Sequence, residues 1–271
     1  MTNKISKIKF YFPKINKEII NEHELVDFII KEMKDDGGIK FAGYLKEDDL
    51  KKDLLRHYEN NKIIPQNIST EQKITISNAI NTITEKCQKA LPHPNLPIFV
   101  YVYPWFPESE SQLSFGGVTA FAEYLTMHLF INLNDYSVES IEKTVAHEWN
   151  HLVYYRNHTD FPYSLLTYMV MEGCAEVFRE EITGGKPAPW SLALTENESK
   201  KQLELLEKDL DKKGMEIYRD VFFGTKKIKK WTGYAIGYRL VNEFRKNKHD
   251  LSWEEILNLD PEHIKKEAQR K

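Results

Sequence analysis

Cysteine is nearly absent. Cys87 and Cys174 are the only two in 271 residues, and one possible bridge in so long a chain is not the disulfide framework of a small secreted domain. Both read as free thiols. No sign of charge prevails either: 38 basic and 41 acidic residues are interleaved to a net -3, which leaves no field pointing to nucleic acid or to an anionic membrane surface. Long hydrophobic runs are missing as well. The longest, around Ile98 to Tyr103 and Leu165 to Met171, fall far short of the roughly 20 residues a bilayer requires. The basic start lacks an apolar stretch of roughly 7 to 15 residues and a small-residue cleavage site. The expectation is a soluble cytoplasmic protein that partners neither nucleic acid nor membrane.

What is present suffices for a large core. With 41% hydrophobic side chains, the chain can form one large domain or two close-packed lobes. Ile8, Phe10 and Phe12 alternate along residues 5 to 12, which reads as a half-buried strand ended by Pro13. Helical spacing runs from about 17 to 34 and is stopped by Gly37-Gly38, and weaker helical patterns reach about residue 90 with a break at Pro65. Ile98 to Tyr103 is apolar or aromatic on both faces, as a strand in the middle of a covered sheet should be. A loop with Gly116-Gly117 comes next. Residues 127 to 133 then set Met127, Leu129, Ile131 and Leu133 against His128, Phe130 and Asn132, a strand with one core face and one more polar face. His128 reads as structural.

From Asp135 or Ser137 as N-cap, Ile141, Val145, Trp149 and Leu152 keep helical spacing to about Tyr155. A second helix runs from about Ser164 to Thr183, closed by Gly184-Gly185. Residues 195 to 213 read as a solvated amphipathic helix, and a last clear helix opens near Thr232.

The chemistry lies at His147-Glu148-Trp149-Asn150-His151. On a helix, residues four apart share a face, so the two histidines can bring imidazole nitrogens to one ion, and Glu148 can reach a water on that ion. With 9 histidines and 28 of the 41 acidic residues glutamate, random placement yields this pattern about 0.03 times. A catalytic zinc keeps three protein ligands and one open position, so a third ligand is required. Glu172 follows on the next helix after one loop. Glu176, one turn further on the same face, could accept the distal N–H of a ligand histidine and fix its tautomer. Cys174 lies between these two carboxylates, which invites a metal role, but a buried structural cysteine is the preferred reading.

The pattern HExxH, a loop, then ExxxE on a second helix resembles the gluzincin zinc peptidases. More narrowly, His-Glu-Trp-Asn-His, Glu-Gly-Cys-Ala-Glu-Val-Phe and the later Trp-Thr-Gly-Tyr-Ala-Ile-Gly-Tyr-Arg-Leu-Val resemble a bacterial family of unknown function described as predicted zinc-dependent proteases. The resemblance covers about residues 98 to 245. It implies one Zn2+ per chain ligated by His147, His151 and Glu172, with Glu148 as general base, Glu176 behind the ligands, and a peptide or protein as substrate.

A carboxylate ligand cancels part of the metal charge, so the water is less acidic than on three histidines and a base is needed. Glu148 would take its proton during attack on the peptide carbonyl and pass it to the leaving amine. Tyr234 and Tyr238, one helical turn apart with Gly233 and Gly237 leaving room, are the candidate oxyanion donors; Arg156 and His158 are the alternatives. A substrate strand could pair with residues 127 to 133. Two other readings stay open: a zinc hydrolase of a non-peptide amide, and a non-catalytic binding or regulatory protein. The expected fold is α+β and zincin-like: a small mixed β-sheet with the active-site helix, plus a mainly helical C-terminal lobe, the cleft between them. Residues 1–96 are expected as an N-terminal segment of unassigned role, and 97–271 as the catalytic domain.

Overall fold

The computed structural model describes residues 8–12, 21–35, 46–59, 67–93, 98–104, 113–123 and 125–270. In chain order these form β1 (Ile8–Tyr11), α1 (Glu22–Asp35), α2 (Glu47–Glu59), α3 (Thr70–Ala90), β2 (Ile98–Pro104), β3 (Val118–Glu123), β4 (Thr126–Ile131), α4 (Val138–Asn157) and α5 (Leu165–Thr183). Helices α6 (Glu196–Leu206), α7 (Met215–Phe223), α8 (Thr232–Asn247), α9 (Trp253–Leu257) and α10 (Pro261–Gln269) follow. The architecture is α+β, with one small mixed sheet. Residues 5–7 and 17–20, the Gly37-Gly38 stop and the Pro65 break lie outside the described residues. Among the described residues no helix is long and apolar enough to cross a membrane.

By contacts the chain divides into two compact units, Met1–Gln88 with His93–Tyr155, and Lys89–Pro92 with Arg156–Lys271. The first holds the sheet, in the order β1-β2-β4-β3. Strand β2 pairs parallel with β1 and with β4, and β3 pairs antiparallel with β4. Every residue of β2 is buried, as its two apolar faces require. Its Phe99, Tyr101 and Tyr103, with Phe130, pack on Leu25, Val26, Ile29 and Ile30 of α1 and on Leu50 and Leu54 of α2.

Two expectations for residues 127 to 133 need correction. The side carrying His128 and Phe130 is not a polar face. His128 is buried, its ring stacks on Tyr101, Tyr103 and Phe121, and its Nδ1 lies 3.0 Å from the Tyr103 hydroxyl. Helices α1 and α2 cover the aromatic face that β2 and Phe130 present. Nor can the strand take up a substrate strand, because β4 has β2 on one side and β3 on the other.

The second unit is helical. Ser164 caps α5 through its side chain, Thr195 and Ser252 form capping boxes on α6 and α9, and Gly184 ends α5 at φ 72°. The helix expected over 195 to 213 breaks after Leu206 into a 3-10 turn, Glu207–Asp209.

Candidate metal centre

Helix α4 starts at Ser137, whose hydroxyl accepts the Ser140 N–H at 3.0 Å. Its middle is buried on every side from Thr144 to Tyr154, so the motif sits on a helix held all round. The Nε2 atoms of His147 and His151 are 3.1 Å apart. Two nitrogens on one tetrahedral zinc, each at about 2.0 to 2.1 Å, stand about 3.3 Å apart, so the pair already has the spacing of two ligands on one ion. The rings meet edge to face, and that of Tyr155 stacks on His151. Glu148, about 100° round the helix from His147, is buried with 7% exposure.

The third element is α5. Gly173, next to Glu172, lies against the carbonyl of Gly237 on α8, and Gly237 lies against the carbonyl of Met169. Backbone meets backbone because neither position has a side chain, which fixes the rotation of the helix that bears Glu172. The ligand-capable atoms of His147, His151 and Glu172 lie within 4.8 Å of one another, and all three residues are buried. Two imidazoles and a carboxylate grouped in this way could hold a metal ion, and zinc is one that takes such ligands.

Glu176 is almost wholly buried. Arg179 donates to it twice, from Nε to Oε2 at 3.2 Å and from Nη2 to Oε1 at 2.7 Å. The Ala188 N–H also donates to Oε1, at 2.7 Å. Arg179 has 0% exposure and went unremarked in the sequence; the available signal was a cation one turn after Glu176 on a helix with no other basic residue. Its Nη2 further reaches Glu180 Oε1 at 3.3 Å and the Lys186 carbonyl at 3.0 Å.

The tyrosines part company. Tyr238 donates its hydroxyl to Glu180 Oε2 at 3.2 Å, two turns along α5 from Glu172. Burial, reinforced by the Glu180 charge, pushes the Tyr238 hydroxyl well above its usual range. Tyr234 keeps its hydroxyl 3.5 Å from that of Tyr218 and its ring edge-on to Phe222. His158 turns its Nε2 to the Leu257 carbonyl at 2.8 Å, and Arg156 is exposed. The thiol of Cys174 is pushed up to about 12 by burial, which suits packing rather than metal ligation.

A family model described as Predicted Zn-dependent protease (DUF2268) matches residues 76–266. The chain belongs to this family. The family match thus takes in α4, α5 and α8 and reaches beyond the span of the sequence resemblance at both ends. Uncharacterized protein YjfC of Bacillus subtilis (strain 168) is 30% identical over 164 residues, which are 55% of this chain and 52% of that protein. The chain therefore spans about half the length of that relative. No solved structure matches.

Proposed function

We propose that this chain is a zinc-dependent peptidase of zincin-like fold, acting on peptides or proteins in the cytoplasm, with one zinc ion held by His147, His151 and Glu172. The observation that carries the reading is the convergence of those three buried groups within 4.8 Å. Zinc, when bound, supplies a Lewis acid that makes water acidic and polarises a carbonyl.

The chain's own groups do the rest. Glu148 follows His147 on the same rigid helix, so its carboxylate takes a proton from the attacking water and returns it to the leaving nitrogen, a role worth roughly 10² to 10⁴ in rate. Glu172, in place of a third histidine, cancels part of the metal charge and makes that base necessary. Glu176 supports the ligands from one turn behind. Tyr234 is the better oxyanion donor of the two tyrosines, because Tyr238 already donates its hydroxyl hydrogen bond to Glu180. Substrate alignment passes from β4 to β3, which among the described residues pairs with β4 and bridges to Phe115 at Val118, and which can accept an extended peptide along its other edge beyond that bridge.

Metal analysis and a peptide-library assay on wild type and Glu148→Gln test the reading. One zinc per chain in both proteins, with turnover confined to wild type, is expected. Equal turnover in the two would sink the mechanism, and a wild type without zinc would sink the metal assignment.

A further inference from the structure

Arg179 is a cation with no exposure to solvent, and it donates to two carboxylates and a backbone carbonyl. Its guanidinium grips both oxygens of Glu176, at 3.2 and 2.7 Å, and reaches Glu180 at 3.3 Å. The Lys186 carbonyl, 3.0 Å from Nη2, and the Ala188 N–H, 2.7 Å from Glu176, tie the segment after α5 to the same pair. A buried ion pair is a poor device for stability alone, since well-packed apolar residues of similar volume generally serve as well or better. What distinguishes this pair is its place. Glu176 lies one helical turn after Glu172, and like charges so spaced repel, the more so with both carboxylates buried.

We propose that Arg179 is a positioning residue of the metal centre, holding Glu176 as an oriented, charged carboxylate beside Glu172 and fastening the 184–190 segment to it. This rests on the zinc reading above. Arg179 sets a positive charge against Glu176 where that carboxylate stands one turn from Glu172, and its loss would remove that charge from beside two like-charged neighbours on one helix face. The bidentate grip also matters. Arginine's planar fork matches a carboxylate at both oxygens, and lysine offers only a point charge. Arg179 therefore acts through Glu176 rather than on any ligand atom of its own.

Competition for zinc against a chromophoric chelator tests this, with circular dichroism as the check on folding. Groups behind metal ligands typically matter by about 10 to 100-fold in affinity. Arg179→Met should lose zinc affinity by that order, and Arg179→Lys should recover part of it. If Arg179→Met does not fold, the double variant Glu176→Leu/Arg179→Met removes both charges together, and it should fold yet bind zinc about 10-fold more weakly or worse. A folded Arg179→Met or double variant with wild-type affinity would overturn the proposal. Wild type unable to hold zinc would instead overturn the metal reading on which it rests, and with it this role for Arg179.

Discussion

A side chain at position 237 would collide with the carbonyl of Met169: a Cβ built on Gly237 stands 1.9 Å from that oxygen, and one on Gly173 stands 2.2 Å from the carbonyl of Gly237. The obstacle in each case is backbone, which cannot rotate aside. Gly237→Ala should therefore force α5 and α8 apart beside Glu172, at about 3 kcal/mol or more, the upper end of overpacking effects. Urea denaturation measures it. A Gly237→Ala protein as stable as wild type would mean that the two helices are not locked at this crossing.

Zinc should stabilise the folded chain through Glu172. At a zinc concentration about 100 times Kd, a ligand that binds only the folded state adds about 2.7 kcal/mol. Thermal unfolding with and without zinc should show that gain in wild type, a chelator should remove it, and Glu172→Gln should show little of it. If the glutamine variant gains as much as wild type, Glu172 is not a ligand.

The helices that carry the candidate centre were legible because their ends are chemically marked: Ser137, Ser164 and Gly184 stand where caps belong. The motif histidines needed only the helical period to converge. Strand β3 was not legible, since Val-Thr-Ala-Phe-Ala-Glu mixes small and polar residues and is held by its register with β4. Helix α7 has no side-chain cap and is fixed by rings, with Tyr218 stacked on Phe222 and Tyr168 against Tyr218. The same holds for the covered side of β4, whose Phe130 belongs to a core cluster with α1 and α2, elements remote in sequence. Arg179 escaped notice because charge on a helix ordinarily marks a solvated face, and only the paired carboxylate and the returning 186–188 segment explain its burial.

The two tyrosines of α8 should behave differently. On the proposed mechanism, Tyr234→Phe removes an oxyanion donor and lowers kcat by roughly 10² to 10³ with little change in KM, the usual size of such a loss. Tyr238→Phe removes only the bond to Glu180 and should leave kcat within a few-fold of wild type. Steady-state kinetics on one cleaved peptide decide it. The reverse order of effects would move the donor role to Tyr238.

Glu180 should make the metal-free protein less stable as pH rises. Burial lifts its carboxyl from 4.5 to about 7, with the Glu176 charge adding to the shift and Arg179 and the Tyr238 hydroxyl opposing it. The folded chain thus holds this proton more tightly than the unfolded chain. A group shifted upward contributes stability that is full below its unfolded value and is lost as pH rises through the folded one, so the loss falls between 4.5 and about 7. Glu180→Gln cannot ionise and lacks this slope. Denaturation midpoints of both proteins, with chelator present to suppress metal linkage, should diverge between pH 4.5 and about 7 and run parallel above it, wild type losing ground to the variant. Parallel curves would show that Glu180 ionises as easily in the folded chain as in the unfolded one, and would remove it as a source of pH sensitivity in the network around Arg179.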